Sequence, residues 1–438
     1  MKLVAQLEDL LYRAQTKPAA EIPGLAGWRI VVDESKAISL GIKDNIPGTV
    51  YTPPGFRQSE NGEVFLVWTD GRCSQVRVQN PAGGGAGWLD RLKEWRLASY
   101  EDAEGSFIPA PEPLPLVAVE ERAIQQALAG EDQLLFEQLA RLLRERPADV
   151  DLTANIQAGW GYRHVRTSTG LAVTYQESQY LLSYSFDRLV GAGFAKRRLI
   201  RAQEWEDLWQ RTVSNREILR QTASPVTPTT TVIFAGGMVE QLLEHFIVPN
   251  FSGQNILDGQ SAFPRESFVH QAQVFERGVD IELDPLRPFE WGSYLVSPEG
   301  VAARRTGLIA AGRLQTPYLR VKDARRWGAQ PTAVPFGGAG LYLRHAREES
   351  WPEAIRGVED GVLVLSVLGL HTQDAVAGRY SLSAPHSLRI QNGQIMGRTD
   401  IKLNGSFFAD LEAETTRYAR SAMVTQPYML VRTGVQGL

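Results

Sequence analysis

Residues 380–405, YSLSAPHSLRIQNGQIMGRTDIKLNG, carry a β pattern interrupted at Asn392-Gly393. An Asn-Gly pair takes the left-handed backbone of a two-residue turn at little cost, so this run is expected to fold back as an antiparallel hairpin. That commits the second half of the chain to a sheet. Other segments agree. TTVIFA (230–235) and VLVLSVLGL (362–370) read as apolar strands, and EGVAARRTGLIAAGRLQTPYL (299–319) as a hairpin with Gly312 in its turn. In the first half, WRIVVDESKAISLGIKDN (28–45) alternates as strands do, and GEVFLVWTDGRCSQVRVQN (62–80) reads as a hairpin turning at Asp70-Gly71. TSTGLAVTYQESQYLLSYSFDR (167–188) reads as a turn with two strand-like runs.

Helical periodicity occupies other stretches. Residues 1–15 place Leu3, Leu7, Leu10 and Leu11 on one stripe. WLDRLKEW (88–95), about 119–146, 195–222 and 238–248 are also expected to be helical, and FFADLEAETTRYA (407–419) is read as a closing helix. Strands and helices in segregated runs point to an α+β fold. The Pro/Thr-rich connector ASPVTPTT (223–230) divides the 438 residues into an N-terminal α+β domain, 1–222, and a β-rich C-terminal domain, 223–438. A second linker, about 107–117, holds four prolines between 109 and 115.

Composition removes several classes of function. Net charge is −4, which gives no overall basic surface for nucleic acid. The local cluster Lys196, Arg197, Arg198, Arg201 is followed closely by Glu204, Glu206 and Asp207, and reads as a solvated helix face. A single cysteine, Cys73, excludes an intrachain disulfide and suits a reducing compartment; in a strand-like run it reads as a small core residue. The N-terminal helix carries acids within its apolar pattern, unlike a signal peptide. The longest strongly apolar run, 361–370, is shorter than the roughly 20 residues a bilayer-spanning helix needs. A cytoplasmic protein without membrane partners is expected.

Few residues suggest chemistry. The stretch VEQLLEHF (239–246) has an apolar stripe, Met238, Val239, Leu242, Leu243 and Phe246, and an opposite face of Glu240, Gln241, Glu244 and His245. Glu240 and Glu244, four apart, are neighbours on a helix and could bind a cation with His245, but the ligand set is incomplete and the face reads as exposed polar surface. NFSGQNILDGQSAF (250–263) is dense in Gly, Ser, Asn and Asp, and is either a surface loop or a wall of a binding groove. Its Ser261 lacks the second glycine of a nucleophile elbow. The glycine-rich PAGGGAG (81–87) lacks a phosphate-binding fingerprint and reads as a flexible connector. The six histidines, at 164, 245, 270, 345, 371 and 386, show no metal-ligand spacing.

Four segments taken in order carry a resemblance: VIFAGGMVEQLLEHF…SGQNILDGQSAF, SPEGVAARRTGLIAAGRL, GVLVLSVLGLHTQDAVAGRYSLSA and LRIQNGQIMGRTDIKLNGSFFADL. Together they resemble the C-terminal domain of the TldD/PmbA family, once named modulators of DNA gyrase. The resemblance covers roughly 225–438, with TSTGLAV in the centre also fitting; the first hundred residues match weakly. It implies a two-domain TldD/PmbA-like fold, with a mixed α/β N-terminal part and a strand-rich C-terminal domain. It also implies a cytosolic peptidase system acting in peptide maturation or in degradation of small unfolded or antitoxin polypeptides. In that family a TldD-type subunit carries His-Glu-x-x-x-His on this helix and a zinc-binding Cys near its C-terminus, and a TldE-type (PmbA) subunit without them pairs with it.

Carried onto this chain, the first His position holds Glu240, the catalytic Glu position holds Gln241, and only His245 remains. The tail QPYMLVRTGVQGL has no Cys. Gln241 cannot take a proton from zinc-bound water. The resemblance therefore implies a TldE-like chain with no metal and no catalytic residue of its own. Zinc is expected in a TldD-like partner, joined as a heterodimer or higher assembly, and self-pairing stays open. Strand addition by a peptide substrate suits the strand-rich half, with loop 250–263 and strand 361–370 as the groove wall and Ser252, Gly253, Asn255, Ser261, Leu363 and Leu365 as its candidate residues. Two alternatives stand beside this. One is a stand-alone hydrolase with a metal held by Glu240, Glu244 and His245 plus His270 or His371. The other is a gyrase modulator or DNA-binding protein, which the charge does not favour.

Overall fold

The computed structural model describes residues 2–16, 24–79, 88–130, 133–228, 230–336, 339–421 and 424–437; the connector 81–87 lies outside them. Strand Leu25–Lys43 organises the first half, because it is long and paired along both edges. It runs antiparallel to Gly55–Trp68 on one side and to Leu152–Thr167 on the other. The sheet continues through Arg72–Gln79 to Tyr100–Glu101 at one edge, and through Ala172–Phe186 to Val190–Lys196 at the other. Strand periodicity then divides the residues between faces. Trp28, Ile30 and Val32 meet Leu3, Leu7 and Leu11 of helix Lys2–Thr16. Further along the same face, Leu40, Ile42, Ile156 and Leu182 are covered by helices Arg122–Ala129, Leu134–Glu145 and Ala202–Leu219. On the opposite face Val31 and Val165 pack against Val296 from the second half.

The second half holds a mixed eight-stranded sheet. Its order is Glu348–Ser350, Arg417–Arg420, Tyr428–Arg432, Thr231–Phe234, Asp360–Val364, Arg379–Gln391, Gln394–Ser406, Gly434–Gly437. Thr231–Phe234 is interior, parallel to Asp360–Val364 and antiparallel to Tyr428–Arg432. One face, with Val232, Phe234, Val362 and Val364, packs on the helical segment 236–250 and a smaller sheet of Val279–Leu283, Thr306–Ala310, Arg313–Leu314 and Leu341–His345. The other face, with Ile233, Leu363, Leu388 and Leu430, packs on Trp205, Leu208 and Trp209 of helix Ala202–Leu219. That helix also touches the first sheet, so one apolar core joins the two halves.

The expected turns form. Gly71 has φ 82°, and Asn392 and Gly393 have φ 47° and 75°, the left-handed values of a two-residue hairpin turn. Several expectations are corrected. The helix expected over 195–222 is Ala202–Leu219, because strand Val190–Lys196 runs on through Lys196. The basic cluster is not a solvated helix face: Arg197 is fully buried and donates to Glu177, Arg198 pairs with Glu204, and Lys196 pairs with Glu290 at 2.6 Å. The closing helix is short, Phe407–Glu412, and three strands follow it. Its start is capped by Ser406 Oγ, which accepts from Ala409 N–H, and Ala413 is already extended. The strand expected over 361–370 ends at Val364. Leu152–Thr167, rich in Gly and polar residues, shows no clear strand signal before it is paired on both edges.

One buried acid makes the sheet–helix junction pH-sensitive. Tyr380 O–H donates to Asp410 Oδ2 at 2.7 Å, inside the core below Phe407. Burial raises the Asp410 carboxyl to about 6 from an ordinary value of 3.8. Between those values the folded state binds more protons than the unfolded chain, so stability falls as pH rises. The expected loss is roughly 3 kcal/mol by neutral pH. Denaturant melts of wild type and Asp410→Asn between pH 4 and 7 check this, with the stability of wild type relative to the variant expected to fall as pH rises through that range.

Candidate functional site

Strand Thr231–Phe234 ends at Ala235 and turns at once into a helix. Gly236 is required at the turn: a Cβ there would lie 2.6 Å from the Gln426 carbonyl oxygen. The helical segment 236–250 buries Met238, Val239, Leu242, Leu243, Phe246 and Ile247, none more than 1% exposed. Phe246 stacks on Phe407 at 5.7 Å. Its middle, Leu243–Ile247, is a π turn in which Val248 N–H donates to Leu243 O. The cause is visible in the sequence. Pro249 has no N–H for the carbonyl of His245 and its ring crowds that carbonyl, so the preceding turn widens. Residues five apart on an α-helix lie about 140° apart around the axis. A widened turn brings positions 240 and 245 nearer to one face.

The polar face comprises Glu240, Gln241 and Glu244, all exposed, and the half-buried His245. Beside it the Lys196–Glu290 pair joins the last strand of the first sheet to the second half. Glu240 keeps a solvent-open side, yet surrounding protein and the nearby Glu290 and Glu244 push its carboxyl up, with Lys196 opposing. His245 Nε2–H donates to the Gln373 carbonyl oxygen at 3.2 Å, which sets the Nε2-protonated tautomer. The imidazole is thus held by the segment following strand Asp360–Val364.

Asn250, fully buried at the end of this helix, ties three segments together. Its Nδ2 donates to Phe246 O at 2.8 Å and to Ala375 O at 2.7 Å, and its Oδ1 accepts from Ala262 N–H at 2.7 Å. Ser261 Oγ donates to the Asn250 carbonyl at 2.8 Å and accepts from Phe263 N–H. Residues 250–263 are therefore not an open loop: they hold a short helix, Gly253–Leu257, and close against their own backbone. Asn255 Nδ2 donates to Pro249 O. Ser252 bridges to Tyr318, and a Cβ on Gly253 would meet Leu319 Cδ2 at 2.5 Å. These four groove candidates serve internal contacts. Leu363 is buried on the sheet face turned toward helix Ala202–Leu219, which removes it from a groove wall; Leu365 is half-buried just beyond the strand.

The residues do not suit zinc. A tetrahedral zinc site needs three or four converging His, Cys or carboxylate ligands, and no group of three gathers among the described residues. Gln241 is neutral, and His245 spends one ring nitrogen on a carbonyl. Among the described residues His270 and His371 do not gather with Glu240, Glu244 and His245 into a group of three such ligands. Cys73 is fully buried against Phe65 and Ile108, and burial pushes its thiol up to about 11, which suits a core residue. Asn250 and the Pro249-driven π turn escaped notice in sequence, although a proline inside a helical run is a readable signal of local rearrangement.

Comparisons with known proteins bear on the fold. Residues 227–436 match the PmbA/TldA metallopeptidase C-terminal domain. A metalloprotease PmbA homolog from Buchnera aphidicola is 28% identical over 131 residues, an alignment spanning 29% of this chain and 29% of that relative. TldE from Thermococcus kodakarensis is similar in fold, with TM-score 0.76 and 16% identity, over 98% of this chain and 99% of that one. A Thermotoga maritima protein described as a candidate modulator of a DNA gyrase gives TM-score 0.79 and 19% identity, over 99% and 100% of the two chains. No helix among the described residues is long and apolar enough to cross a membrane. Residues 227–436 belong to the PmbA/TldD C-terminal domain family, and the fold of these neighbours is shared along nearly the full length of the chain.

Proposed function

We propose that this chain is the TldE-like, non-catalytic subunit of a heteromeric zinc-dependent peptidase, acting in the cytoplasm on peptides or small unfolded polypeptides. The observation that carries the reading is the helix 236–250. The family resemblance aligns it with the zinc-peptidase helix of a catalytic subunit, and on that alignment Glu240, Gln241 and His245 stand where such a subunit has His, Glu and His. A glutamine cannot serve as general base, and no third ligand converges on His245 among the described residues. In this reading a TldD-like partner supplies the zinc, and this chain supplies a wall of the peptide-accepting groove, with Leu365 the remaining candidate from strand Asp360–Val364 and its exit. The same reading takes 1–222 and 223–438 as its two domains, the connector 223–230 being tied down where Asp360 accepts from Thr227 and Thr230, each at 2.7 Å.

Two experiments test it. Tagged chain recovered from native lysate should co-purify, in stoichiometric amount, with a homologue carrying His-Glu-x-x-x-His; recovery of the chain alone would count against the subunit assignment. The second is a graft. Glu240→His with Gln241→Glu restores the first ligand and the base but not the third ligand. The grafted protein is expected to bind zinc at least about a hundredfold more weakly than a complete site, and to leave peptides uncleaved. Turnover by the graft in isolation would mean that a ligand outside the described set completes the centre.

A further inference from the structure

A second site lies away from this helix, on the open face of the first sheet. Strand alternation and cross-strand pairing put Arg29 opposite Phe65, and Val31 opposite Glu63. The next strand adds Gln75 opposite Phe65, and Arg77 opposite Glu63. These side chains share one face of the sheet. Arg29, Glu63, Phe65, Gln75 and Arg77 form the floor of a cleft of about 560 Å³. Its roof comes from the second half, through Tyr294, Glu299, Arg320 and Phe336, and its side from Tyr100 and Phe107.

Arg29 is the anomaly. It is only 8% exposed, lies over the Phe65 ring at 4.8 Å, and lines the cleft. Among the described residues no acceptor lies within hydrogen-bond or ion-pair distance of its guanidinium, although Glu299 and Glu63 act on it from further away. A buried guanidinium has five donors and no means of discarding its charge, so leaving it unmatched is costly. Among the described residues the buried Arg197, Arg216 and Arg389 each have at least one direct acceptor, as when Arg389 donates to Gly361 O at 2.8 Å, Arg216 to Asp187 at 2.6 Å and Arg197 to Glu177 at 3.2 Å, although Arg197 and Arg389 also keep unpartnered guanidinium nitrogens.

The surrounding charge narrows the ligand. Lys322 in the cleft is taken by Asp102 at 2.9 Å, and Arg163 by Asp33 at 2.7 Å. Arg29, Arg77 and Arg320 then face Glu63 and Glu299, an excess of one positive charge, which suits a monoanion better than a dianion such as a phosphate monoester. A guanidinium fork matches a carboxylate with two parallel hydrogen bonds. The walls beside it, Phe65, Phe107, Tyr294 and Phe336, would enclose an apolar body. We propose that this cleft binds the free C-terminal carboxylate of an unstructured peptide with apolar final residues, Arg29 holding the carboxylate. The peptide class deepens the peptidase reading above and rests on it; the carboxylate site rests on Arg29 alone.

The purified full chain, with no partner and no metal, is titrated calorimetrically with acetyl-Ala-Ala-Leu-Phe as its free acid and as its carboxamide. The acid should bind saturably, and the amide at least about tenfold more weakly, as loss of a charged hydrogen-bond pair predicts. Arg29→Gln should remove that preference with its circular dichroism and melting transition retained. Arg320→Ala, at the exposed rim, should weaken the acid about threefold without risk to the fold. Equal binding of acid and amide, binding of neither, or full acid preference in Arg29→Gln and Arg320→Ala overturns the proposal. So does binding of inorganic phosphate in preference to the free acid. Because the titration needs neither partner nor zinc, its failure is distinct from failure to recover a TldD-like subunit.

Discussion

Strand Thr231–Phe234 has no solvent face. Val232 and Phe234 belong to the core under the helical segment 236–250, and Ile233 to the core shared with helix Ala202–Leu219. Full burial of a Val, Ile or Phe contributes about 1.5–3 kcal/mol, so three such residues supply roughly as much as the net stability of a typical domain. Both cores close on this strand, and its neighbours are set by it: Asp360–Val364 parallel on one side, Tyr428–Arg432 antiparallel on the other. Because both ends of the cross-section are packed, the chain leaving the strand has one route. It turns at Gly236, where no side chain fits, and enters the helix.

In the proposed reading, this packing is what lets the helix persist without metal chemistry. Its six buried apolar residues and the Asn250 hydrogen bonds hold it in place, and none of those groups is a His, Cys or carboxylate of the kind that binds zinc. Glu240, Gln241 and Glu244 project outward, so exchanging ligands there disturbs little packing. His245 is the exception, because the Gln373 carbonyl gives it a structural partner. A side chain that could be a ligand survives here as a clasp between the helix and the segment after strand Asp360–Val364.

What is legible in sequence is what local chemistry decides. Asn392-Gly393 and Asp70-Gly71 announce their hairpins because few other residues tolerate that backbone. The apolar stripe from Met238 to Phe246 announces its helix because burial follows periodicity. The family resemblance in the second half is legible for the same reason: its motifs are turns and strands in a fixed order. Long-range pairing hides the rest. Leu152–Thr167 is a strand because two edges claim it, and its Gly and polar residues conceal that. Arg197 looks like solvated charge until Glu177 meets it across the sheet. Residues 250–263 look like an open loop until Asn250 closes them. Arg29 reads as an interruption in an apolar strand, and its meaning depends on a roof supplied by residues more than two hundred positions later.

The central claim is that helix 236–250 is a packing element without a metal centre. Zinc content and zinc titration of the purified chain test it most directly. The account predicts far less than one zinc per chain and no saturable uptake at micromolar zinc. One zinc per chain, lost in His245→Ala, would contradict it.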